Sequence, residues 1–356
     1  MLKKYLNIGG IFFWMLLFIP LSFIFGIFTQ NKILTFVFSI LAIIPLARIL
    51  GYTTKEISLQ TNPTIGGLIS ATFGNIIEVF IAILALREGL VRVVQASIVG
   101  SIIGNLLLLI GLSIFFGGLK YKHQKFNNRT ANVSSTMLII AVAGITIPSL
   151  YYFLNQNNSH LAILSDSVAV VMALVYVAGL IFSLFTHKDL FDASDEIKAT
   201  RKRPIISKKI AALILFIATI IVAFESHFLV KGIEDVALQI GITQTFIGVV
   251  IIAIVTNIAE KSMAINFALE NKLDISLEIG MSSAIQIALF VVPILVFVSQ
   301  IMGSTFNLVF SLFEVAAILV AVTIINHLAA DGRCNWLEGV QLISVYLILI
   351  AVFYFV

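Results

Sequence analysis

Two short polar motifs with the same spacing interrupt long apolar runs in this sequence. Asn75 and Glu78 occur in GNIIEV at residues 74–79, and Asn257 and Glu260 occur in TNIAEK at residues 256–261. Residues three apart lie on the same face of a helix, so each motif presents an amide and a carboxylate together. Hard cations such as Ca²⁺ bind these oxygens. A carboxylate can also take up a proton, so the motifs indicate a site where a cation and protons compete.

The chain around these motifs has the composition of a polytopic membrane protein. Its 356 residues are 60% hydrophobic and 11% charged, whereas soluble proteins contain about 25% charged residues. Counting apolar runs of roughly 20 residues predicts an all-α integral membrane protein with about eleven transmembrane helices. The predicted spans are residues 9–28, 33–50, 64–86, 93–118, 133–154, 166–186, 210–230, 245–269, 275–302, 307–328 and 337–356.

An ionisable side chain near the middle of a membrane span is costly. Insertion scales put the cost at ~2.5–3.5 kcal/mol or more, and such residues are usually functional. For Glu78 and Glu260, the alternative is a protonated side chain that hydrogen bonds a neighbouring helix. For Asn75 and Asn257, it is a structural bond between helices. The occurrence of the same pair twice favours a functional site.

The two motifs belong to an internal repeat. When the sequence is aligned with itself so that Asn75 lies over Asn257, TIGGLISATFGNIIEVFIAILALREG lies over FIGVVIIAIVTNIAEKSMAINFALEN. In this repeat alignment, Glu78 and Glu88 also meet an identical residue. The interval holds five predicted helices, so equivalent helices cross the membrane in opposite directions. This pattern is typical of secondary transporters with inverted repeats, whose substrate site lies at the midplane.

The distribution of Lys and Arg orients the predicted helices. On the side of the N-terminus lie 17 of the 22 basic residues, four lie on the other side, and Lys261 is inside a span. This predicts a protein of the cell (plasma or inner) membrane, with a cytoplasmic N-terminus and an external C-terminus. The predicted units are an N-terminal helix at 1–30, repeats of five helices at 31–186 and 210–356, and a cytoplasmic loop at 187–209 that opens acidic and closes basic.

Further polar residues follow each motif and could complete a coordination shell. Gln95 and Ser101 come after the first motif, and Ser283 and Gln286 come after the second. Three more acidic residues, Glu225, Glu314 and Glu338, lie at or near predicted helix ends, where an interfacial or gating role is the expectation.

Several function classes are excluded by what the sequence lacks. Cys334 is the only cysteine, so neither an intramolecular disulfide nor a thiolate metal cluster can form. There is no H-E-x-x-H and no Gly-rich phosphate loop, and the predicted loops are too short for a catalytic domain. We therefore expect no enzyme, no cofactor and no nucleic-acid partner. The expected partners are membrane lipid, a divalent cation and protons, and a homo-oligomer is left open.

Longer stretches resemble a known family. GGLISATFGNIIEVFIAILALREGLVRVVQASIVGSIIGNLLLLIGL resembles the first alpha-repeat of the cation/proton exchanger branch of the calcium/cation antiporter superfamily. NKLDISLEIGMSSAIQIALFVVP and DGRCNWLEGVQLISVYLILIAVFYF are similar to its second repeat and C-terminal helix. The resemblance implies Ca²⁺/H⁺ exchange, one plus five plus five helices, and an acidic helix in the central loop. It also implies roles at matching positions: Glu78 and Glu260 as cation ligands and proton acceptors, Asn75 and Asn257 beside them, and Gln95 and Gln286 as site-lining amides.

The second motif departs from the family pattern, which usually reads Gly-Asn-Ala-Ala-Glu-His. Thr256 stands where the family has a glycine, although Gly74 keeps it in the first motif. Lys261 stands where the family has a histidine. We expect Gly74, Thr256 and Lys261 to modulate the site. Lys261 could act as a built-in cation, weaken Ca²⁺ binding or change the number of exchanged protons, or its side chain could point elsewhere.

These features favour an antiporter that exports Ca²⁺, or a similar divalent such as Mn²⁺, in exchange for protons by alternating access. The first alternative is a sodium-coupled cation exchanger, which places different polar residues around its acidic pair. The second is a passive cation channel. Channels usually repeat their filter around an oligomer axis, whereas this chain carries two opposed half-sites.

Overall fold

The described part of the protein forms eleven membrane spans, two of them bent. The computed structural model describes residues 10–29, 31–155, 159–187 and 204–356. Lipid cannot satisfy backbone polar groups, so each apolar run forms a helix that satisfies them internally. The spans are α1 (Ile11–Thr29), α2 (Lys32–Ser58), α3a and α3b (Pro63–Gly74 and Ile76–Arg87), α4 (Val91–Lys120), α5 (Asn128–Leu154), α6 (Leu161–Thr186), α7 (Lys208–Ile240), α8a and α8b (Gln244–Thr256 and Ile258–Leu269), α9 (Leu273–Ile301), α10 (Leu312–Asp331) and α11 (Trp336–Phe355).

The two bent spans are broken at the asparagine of a motif. The two halves of α3 meet at an angle of 40°, and those of α8 at 57°. Asn75 has φ −110° and ψ 23°, and Asn257 has φ −98° and ψ 12°, so both leave helical geometry. The expectation that each Asn-x-x-Glu pair lies on one face of a continuous helix is therefore wrong. Each asparagine instead occupies the N-cap position of the half-helix that carries its glutamate, without a side-chain capping hydrogen bond.

The span α7 is longer than predicted. Its apolar run was expected to end at residue 230, where Lys231 begins a polar stretch, but the helix continues to Ile240. Asp235 in this extension forms a salt bridge of 2.9 Å with Lys32 at the start of α2. The extension is therefore held against α2, and Glu225 lies near the middle of α7 rather than at its end.

The other two acidic residues expected at helix ends are capping residues. Glu314 accepts a hydrogen bond from the backbone N–H of Ser311 at 2.7 Å, and the Ser311 hydroxyl accepts one from the Glu314 N–H at 3.3 Å. Glu338 forms the same capping box with Asn335. These glutamates satisfy free N–H groups at the starts of α10 and α11.

A small antiparallel sheet joins two connections between helices. Its strands are β1 (Gln124–Lys125) and β2 (Arg333–Cys334), and Gln124 lies opposite Cys334. The Gln124 side-chain amide donates to the carbonyl of Ala268 at 3.0 Å, and Lys120 donates to the carbonyl of Leu269 at 2.9 Å. These bonds fasten the C-terminal end of α8b to the end of α4.

The central loop is attached to α2 at its far end. The backbone N–H groups of Ile205 and Ile206 donate to Oε2 of the buried Glu56 at 2.8 and 3.3 Å. Gln60 donates to the carbonyl of Ile206 at 2.9 Å. The acidic helix expected in this loop falls on residues 188–203, which lie outside the described part of the chain.

The two halves meet where α4 crosses α8a, and glycines permit the close approach. A Cβ atom placed on Gly100 would lie 2.2 Å from the carbonyl oxygen of Val249. On the facing helix, a Cβ atom on Gly248 would lie 2.7 Å from the Cβ of Ala96. Backbones can pack this closely only where side chains are absent.

We expect Gly100→Ala to lower the thermal stability of the purified protein. The added methyl group collides with backbone, which cannot rotate away, and overpacking of this kind costs about 1–3 kcal/mol. Gly51→Ala on α2 is a matched control, because no atom lies within 4 Å of its added Cβ. The measurement is the unfolding temperature in detergent. Equal temperatures for the two variants would contradict the packing described for α4 and α8a.

Candidate cation site

Two glutamates from opposite halves form the centre of the candidate site. Glu78 and Glu260 lie in the first turns of α3b and α8b, three residues after Asn75 and Asn257. The N-terminal end of a helix carries partial positive charge, which favours a carboxylate there. Broken helices whose half-helix ends point at the substrate are typical of secondary transporters. The breaks therefore place both carboxylates at electrostatically favourable helix ends.

Hydrogen bonds connect each motif to a helix of the opposite half. Asn75 Nδ2 donates to Oε1 of Gln286 at 2.6 Å, and the Gln286 amide donates to Ser282 at 3.2 Å. Asn257 Nδ2 donates to the hydroxyl of Ser101 at 3.3 Å. Each asparagine thus contacts a helix of the opposite half: Asn75 contacts α9 and Asn257 contacts α4. In the repeat alignment, Ser101 itself lies over Ser283.

Asn105 is a member of this network that the sequence reasoning missed. Its Nδ2 donates to the Ser283 hydroxyl at 2.8 Å and to Oδ1 of Asn257 at 3.2 Å. It lies in a π-helical turn of α4, Gly104–Leu109, and α9 has a π-helical turn at the equivalent position, Ile287–Val291. Such turns occur often at functional sites. The available signal was an amide after a glycine in an apolar run, as in Gly74-Asn75.

In the described part of the chain, four buried oxygen atoms of the candidate site have no hydrogen-bond partner. They are Oδ1 of Asn75, Oε2 of Glu78, Oδ1 of Asn105 and Oε2 of Glu260. Nearly all buried polar atoms in folded proteins are hydrogen bonded, so such atoms require an explanation. Two carboxylate and two amide oxygens are donors of the kind that Ca²⁺ binds. Across the described residues, no cluster of three or more His, Cys, Asp or Glu side chains is arranged to hold a metal ion.

The three residues expected to modulate the site all lie beside it. Lys261 is 6% exposed, and its Nζ donates to the carbonyl of Ala253 at 3.3 Å. It interacts electrostatically with both glutamates, but within the described part of the chain it forms no ion pair at 4.0 Å or less. The Thr256 hydroxyl accepts from Asn257 at 3.0 Å. A Cβ atom on Gly74 would lie 3.6 Å from Oε1 of Gln286.

Among the residues that the structure describes, Gln95 forms no hydrogen bond with the other predicted site residues. Its Nε2 donates to the carbonyl of Val309 at 2.5 Å, in the connection that precedes α10. Its counterpart in the prediction, Gln286, does contact Asn75. The two glutamines are therefore not equivalent: the repeat alignment places Gln286 over Gly104 and Gln95 over Leu277.

A cavity of about 590 Å³ leads to one side of the site. It lies between α2, α3a and α8, and polar residues near its outer end include Lys55, Ser58 and Thr61. Thr256 and Glu260 line its inner end. Glu78 instead borders a pocket of only about 10 Å³, together with Ser97 and Ser101. The Glu260 carboxylate is therefore accessible from a large cavity, whereas the Glu78 carboxylate borders only a small pocket.

We expect Asn105→Ala to reduce transport by roughly tenfold. The variant removes two hydrogen bonds that hold Asn257 and Ser283, each worth about 0.5–1.5 kcal/mol. Asn326→Ala is the control, because it removes a part-buried hydrogen bond outside the site, in which the Ser135 hydroxyl donates to Oδ1 of Asn326 at 2.6 Å. Initial rates of cation movement in vesicles measure the effect. Unchanged rates in Asn105→Ala would show that the network does not support the site.

The family of the protein is identified by its sequence. The chain matches the family described as "Sodium/calcium exchanger protein" over residues 31–185 and 210–355. The chain belongs to this family. The two matched stretches leave out α1 and most of the central loop.

Individual relatives of this sodium/calcium exchanger family protein cover nearly its whole length. It is 39% identical to a Ca²⁺/H⁺ antiporter of Aphanothece halophytica, over 98% of both chains. It is 42% identical to the Ca²⁺/H⁺ antiporter ChaA of Bacillus subtilis (strain 168), over 93% of this chain and 95% of that protein. Both are named as transporters, in agreement with the prediction that this protein is not an enzyme. The resemblance to cation/proton exchangers is confirmed.

The fold also agrees with a solved structure. The structure of native YfkE superimposes with a TM-score of 0.85 and 38% sequence identity, covering 98% of this chain and 100% of that chain. The predicted fold class is therefore confirmed: an all-α membrane protein with about eleven spans, consistent with one N-terminal helix and two inverted repeats.

Proposed function

We propose that this protein is a secondary active antiporter that exports Ca²⁺ in exchange for protons. The observation that carries the proposal is the set of four buried oxygens without partners, contributed by Asn75, Glu78, Asn105 and Glu260. The two carboxylates supply two negative charges, which match the charge of a divalent cation. The neutral amide oxygens add ligands without adding charge. The sequence similarity to Ca²⁺/H⁺ antiporters supports the same cargo.

Exchange follows from competition for the same two carboxylates. A bound Ca²⁺ requires both glutamates to be ionised, whereas protons neutralise them when the cation has left. Lys261 aside, the glutamate pair is neutral when both carboxylates are protonated or when Ca²⁺ is bound, and these are the two states that can cross the apolar interior at low electrostatic cost. When neither Ca²⁺ nor protons are bound, the carboxylates remain charged in the apolar interior. This charge disfavours the return of the empty site to the other side of the membrane. Ca²⁺ movement in one direction is thereby coupled to proton movement in the other.

Alternating access is the proposed way in which the site reaches both sides of the membrane. The cavity of about 590 Å³ gives access to Glu260 from the end of α2 that carries Lys55 and Ser58. The pocket beside Glu78 is too small for a hydrated ion, at about 10 Å³. This asymmetry supports a conformation that is open to one side only, in contrast to the continuous pore of a channel.

We place the open cavity on the cytoplasmic side. The support is the distribution of basic residues, which puts the N-terminus and the α2–α3a connection in the cytoplasm. In this orientation the C-terminus is external, and cytoplasmic Ca²⁺ enters the cavity directly. Proton flow into the cell then drives Ca²⁺ out.

Labelling of an engineered cysteine tests this orientation. In a Cys334→Ser background, we expect Ser58→Cys to react with a membrane-impermeant maleimide in everted vesicles but not in intact cells. Reaction of Ser58→Cys only from the outside of intact cells would reverse the orientation.

Cation flux in everted vesicles tests the proposed activity. With an imposed pH gradient, acid inside, we expect uptake of Ca²⁺, or of Mn²⁺, that stops when the gradient is dissipated. Ca²⁺ movement that needs a Na⁺ gradient and ignores pH would favour the sodium-coupled alternative. Movement down the Ca²⁺ gradient alone, with no proton counterflow, would favour a channel. Either outcome would overturn the proposal.

A further inference from the structure

Another buried glutamate lies in a membrane span, outside the candidate site. Glu225 is 0% exposed and lies near the middle of α7. It faces Ser22 of α1 and Ser39 of α2. The repeat alignment places it over Ile43, so the first repeat has no equivalent carboxylate. The helix α1 has no equivalent in either repeat. Glu225 and α1, which both lack a counterpart in the repeat alignment, thus contact each other.

The hydrogen bonds of Ser22 require a proton from Glu225. The Ser22 hydroxyl oxygen lies 2.7 Å from the carbonyl oxygen of Ile19 and 2.6 Å from Oε1 of Glu225. A serine hydroxyl carries a single proton and can make only one strong bond as a donor. A carbonyl cannot supply the second proton, but an un-ionised carboxylic acid can. In that state Glu225 donates to Ser22, and Ser22 donates to Ile19.

The described surroundings of Glu225 offer no cation to balance a negative charge. Among the described residues, its Oε2 atom and the hydroxyl oxygens of Ser39 and Ser226 are buried and make no hydrogen bond at 3.5 Å or less. The span Ile11–Thr29 contains no ionisable residue. Over the residues that the structure describes, no Lys, Arg or His forms an ion pair with Glu225 at 4.0 Å or less.

The charged groups on the helices packed around Glu225 are engaged elsewhere. On α2, Lys32 pairs with Asp235 at 2.9 Å, and the guanidinium of Arg48 lies 4.5 Å from the centre of the Phe12 ring. Glu56 binds the backbone N–H groups of Ile205 and Ile206, and Lys55 faces the large cavity.

The remaining charged groups nearby lie on α7 and α3b. His227 on α7 interacts with Lys231 and with Arg87 and Glu88 at the end of α3b. Glu78, near the start of α3b, belongs to the candidate site. None of these groups acts on Glu225, so its charge would stand unbalanced.

We infer that Glu225 is a proton-binding site separate from the cation site, and that its bound proton fastens α1 to α7. The ligand is a single proton held as the O–H of a neutral carboxylic acid. That O–H bonds Ser22, and the second oxygen remains available to the hydroxyl of Ser39 on α2. Because α2 packs along α7, the proton links the N-terminal helix to both. Loss of the proton would leave Ser22 with two acceptors and one hydrogen.

Infrared spectroscopy of the purified, full-length protein tests the protonation directly. The spectrum of Glu225→Gln is subtracted from that of the unmodified protein at neutral pH, so that the contributions of Glu78 and Glu260 cancel. We expect the difference to contain the C=O band of an un-ionised carboxylic acid and no carboxylate bands. A difference that contains carboxylate bands instead would overturn the proposal.

Thermal stability tests the fastening of α1. We expect Ser22→Ala and Glu225→Ala to lower the unfolding temperature, and Glu225→Gln, whose amide can still donate to Ser22, to keep it. Ser226→Ala is the matched control, since it removes a neighbouring buried hydroxyl that has no partner. An equal loss in Glu225→Gln and Glu225→Ala, or no loss in Ser22→Ala, would overturn the proposed contact. Neither measurement depends on transport.

Discussion

We expect Ca²⁺ uptake driven by a pH gradient to fall to background when Glu78 or Glu260 is replaced by glutamine. Each glutamate supplies one of the two negative charges of the candidate site and one of its oxygens without a partner. Removing one charged member of a buried ionic group costs about 3–5 kcal/mol. Because about 1.4 kcal/mol corresponds to a tenfold change, we expect a loss of more than ~100-fold in transport. Initial uptake rates in everted vesicles measure it.

The controls for this prediction come from the same half-helix. Glu88 follows the last residue of α3b and is exposed, and Glu270 is its equivalent in the second repeat. Glu88→Gln removes a carboxylate from the same span but outside the site, so we expect it to transport normally. Full transport by Glu78→Gln or Glu260→Gln, at normal protein amounts in the membrane, would contradict the assignment of the site.

The sequence was sufficient for the spans and the repeat because both follow from strong physical constraints. An apolar run of this length has few alternatives to a membrane helix. The repeat alignment paired Asn75 with Asn257 and Glu78 with Glu260, and in the structure each motif is hydrogen bonded to the opposite half, Asn75 to Gln286 and Asn257 to Asn105. Polar residues inside apolar runs are easy to identify in a sequence because they are costly in lipid. For this reason the sequence indicated the residues at the centre of the site.

The breaks in α3 and α8 could not be predicted in the same way. An asparagine inside an apolar run is compatible with a continuous helix, and only the partners that it meets decide the outcome. Asn75 finds Gln286 on α9, and Asn257 finds Ser101 on α4. Both contacts join residues that are far apart in the sequence and belong to opposite halves. Tertiary contacts therefore determine the backbone at the motifs.

Tertiary contacts also determine that Asn105 lies in the site and that Gln95 does not. Both are amides on α4 in apolar surroundings, and the glycine before Asn105 does not show which partners either side chain meets. The structure turns Asn105 toward Ser283 and Asn257, and Gln95 toward the carbonyl of Val309. Which amide faces the site depends on the π-helical turn of α4 and on the packing of α9 against it. A single sequence does not reveal either feature.

We expect replacement of Lys261 by methionine or histidine to raise the apparent affinity for Ca²⁺. The lysine Nζ is buried beside Ala253 and interacts with both glutamates. As a fixed cation it lowers the net charge of the pair from two negative charges to one, which disfavours a divalent ion. Two charges ~10 Å apart at an effective dielectric constant of about 20 interact by more than ~1 kcal/mol, and by twice that for a divalent ion. We therefore expect a change of ~10-fold or more.

The Ca²⁺ concentration that gives half-maximal uptake in vesicles is the quantity to measure. Lys272→Met serves as the control, because Lys272 is partly exposed and pairs with Glu270 beyond the end of α8b. We expect no change in affinity there. Lys261→Met tests the effect of the charge alone, since methionine keeps an unbranched side chain of similar length and cannot carry a charge. Lys261→His restores the residue that the cation/proton exchangers have at this position, so we expect it to keep or raise Ca²⁺ transport.

A loss of Ca²⁺ transport in the Lys261 variants would require a different mechanism. If Lys261→Met and Lys261→His both reach the membrane and neither transports, the ammonium group is a working part of the cycle. In that case two carboxylates and one lysine leave a single negative charge, which a monovalent cation or a single proton balances. The charge of Lys261 therefore decides between two mechanisms. In one, the site binds a divalent ion and the lysine weakens that binding. In the other, the site binds a different cargo and the lysine is a necessary part of it.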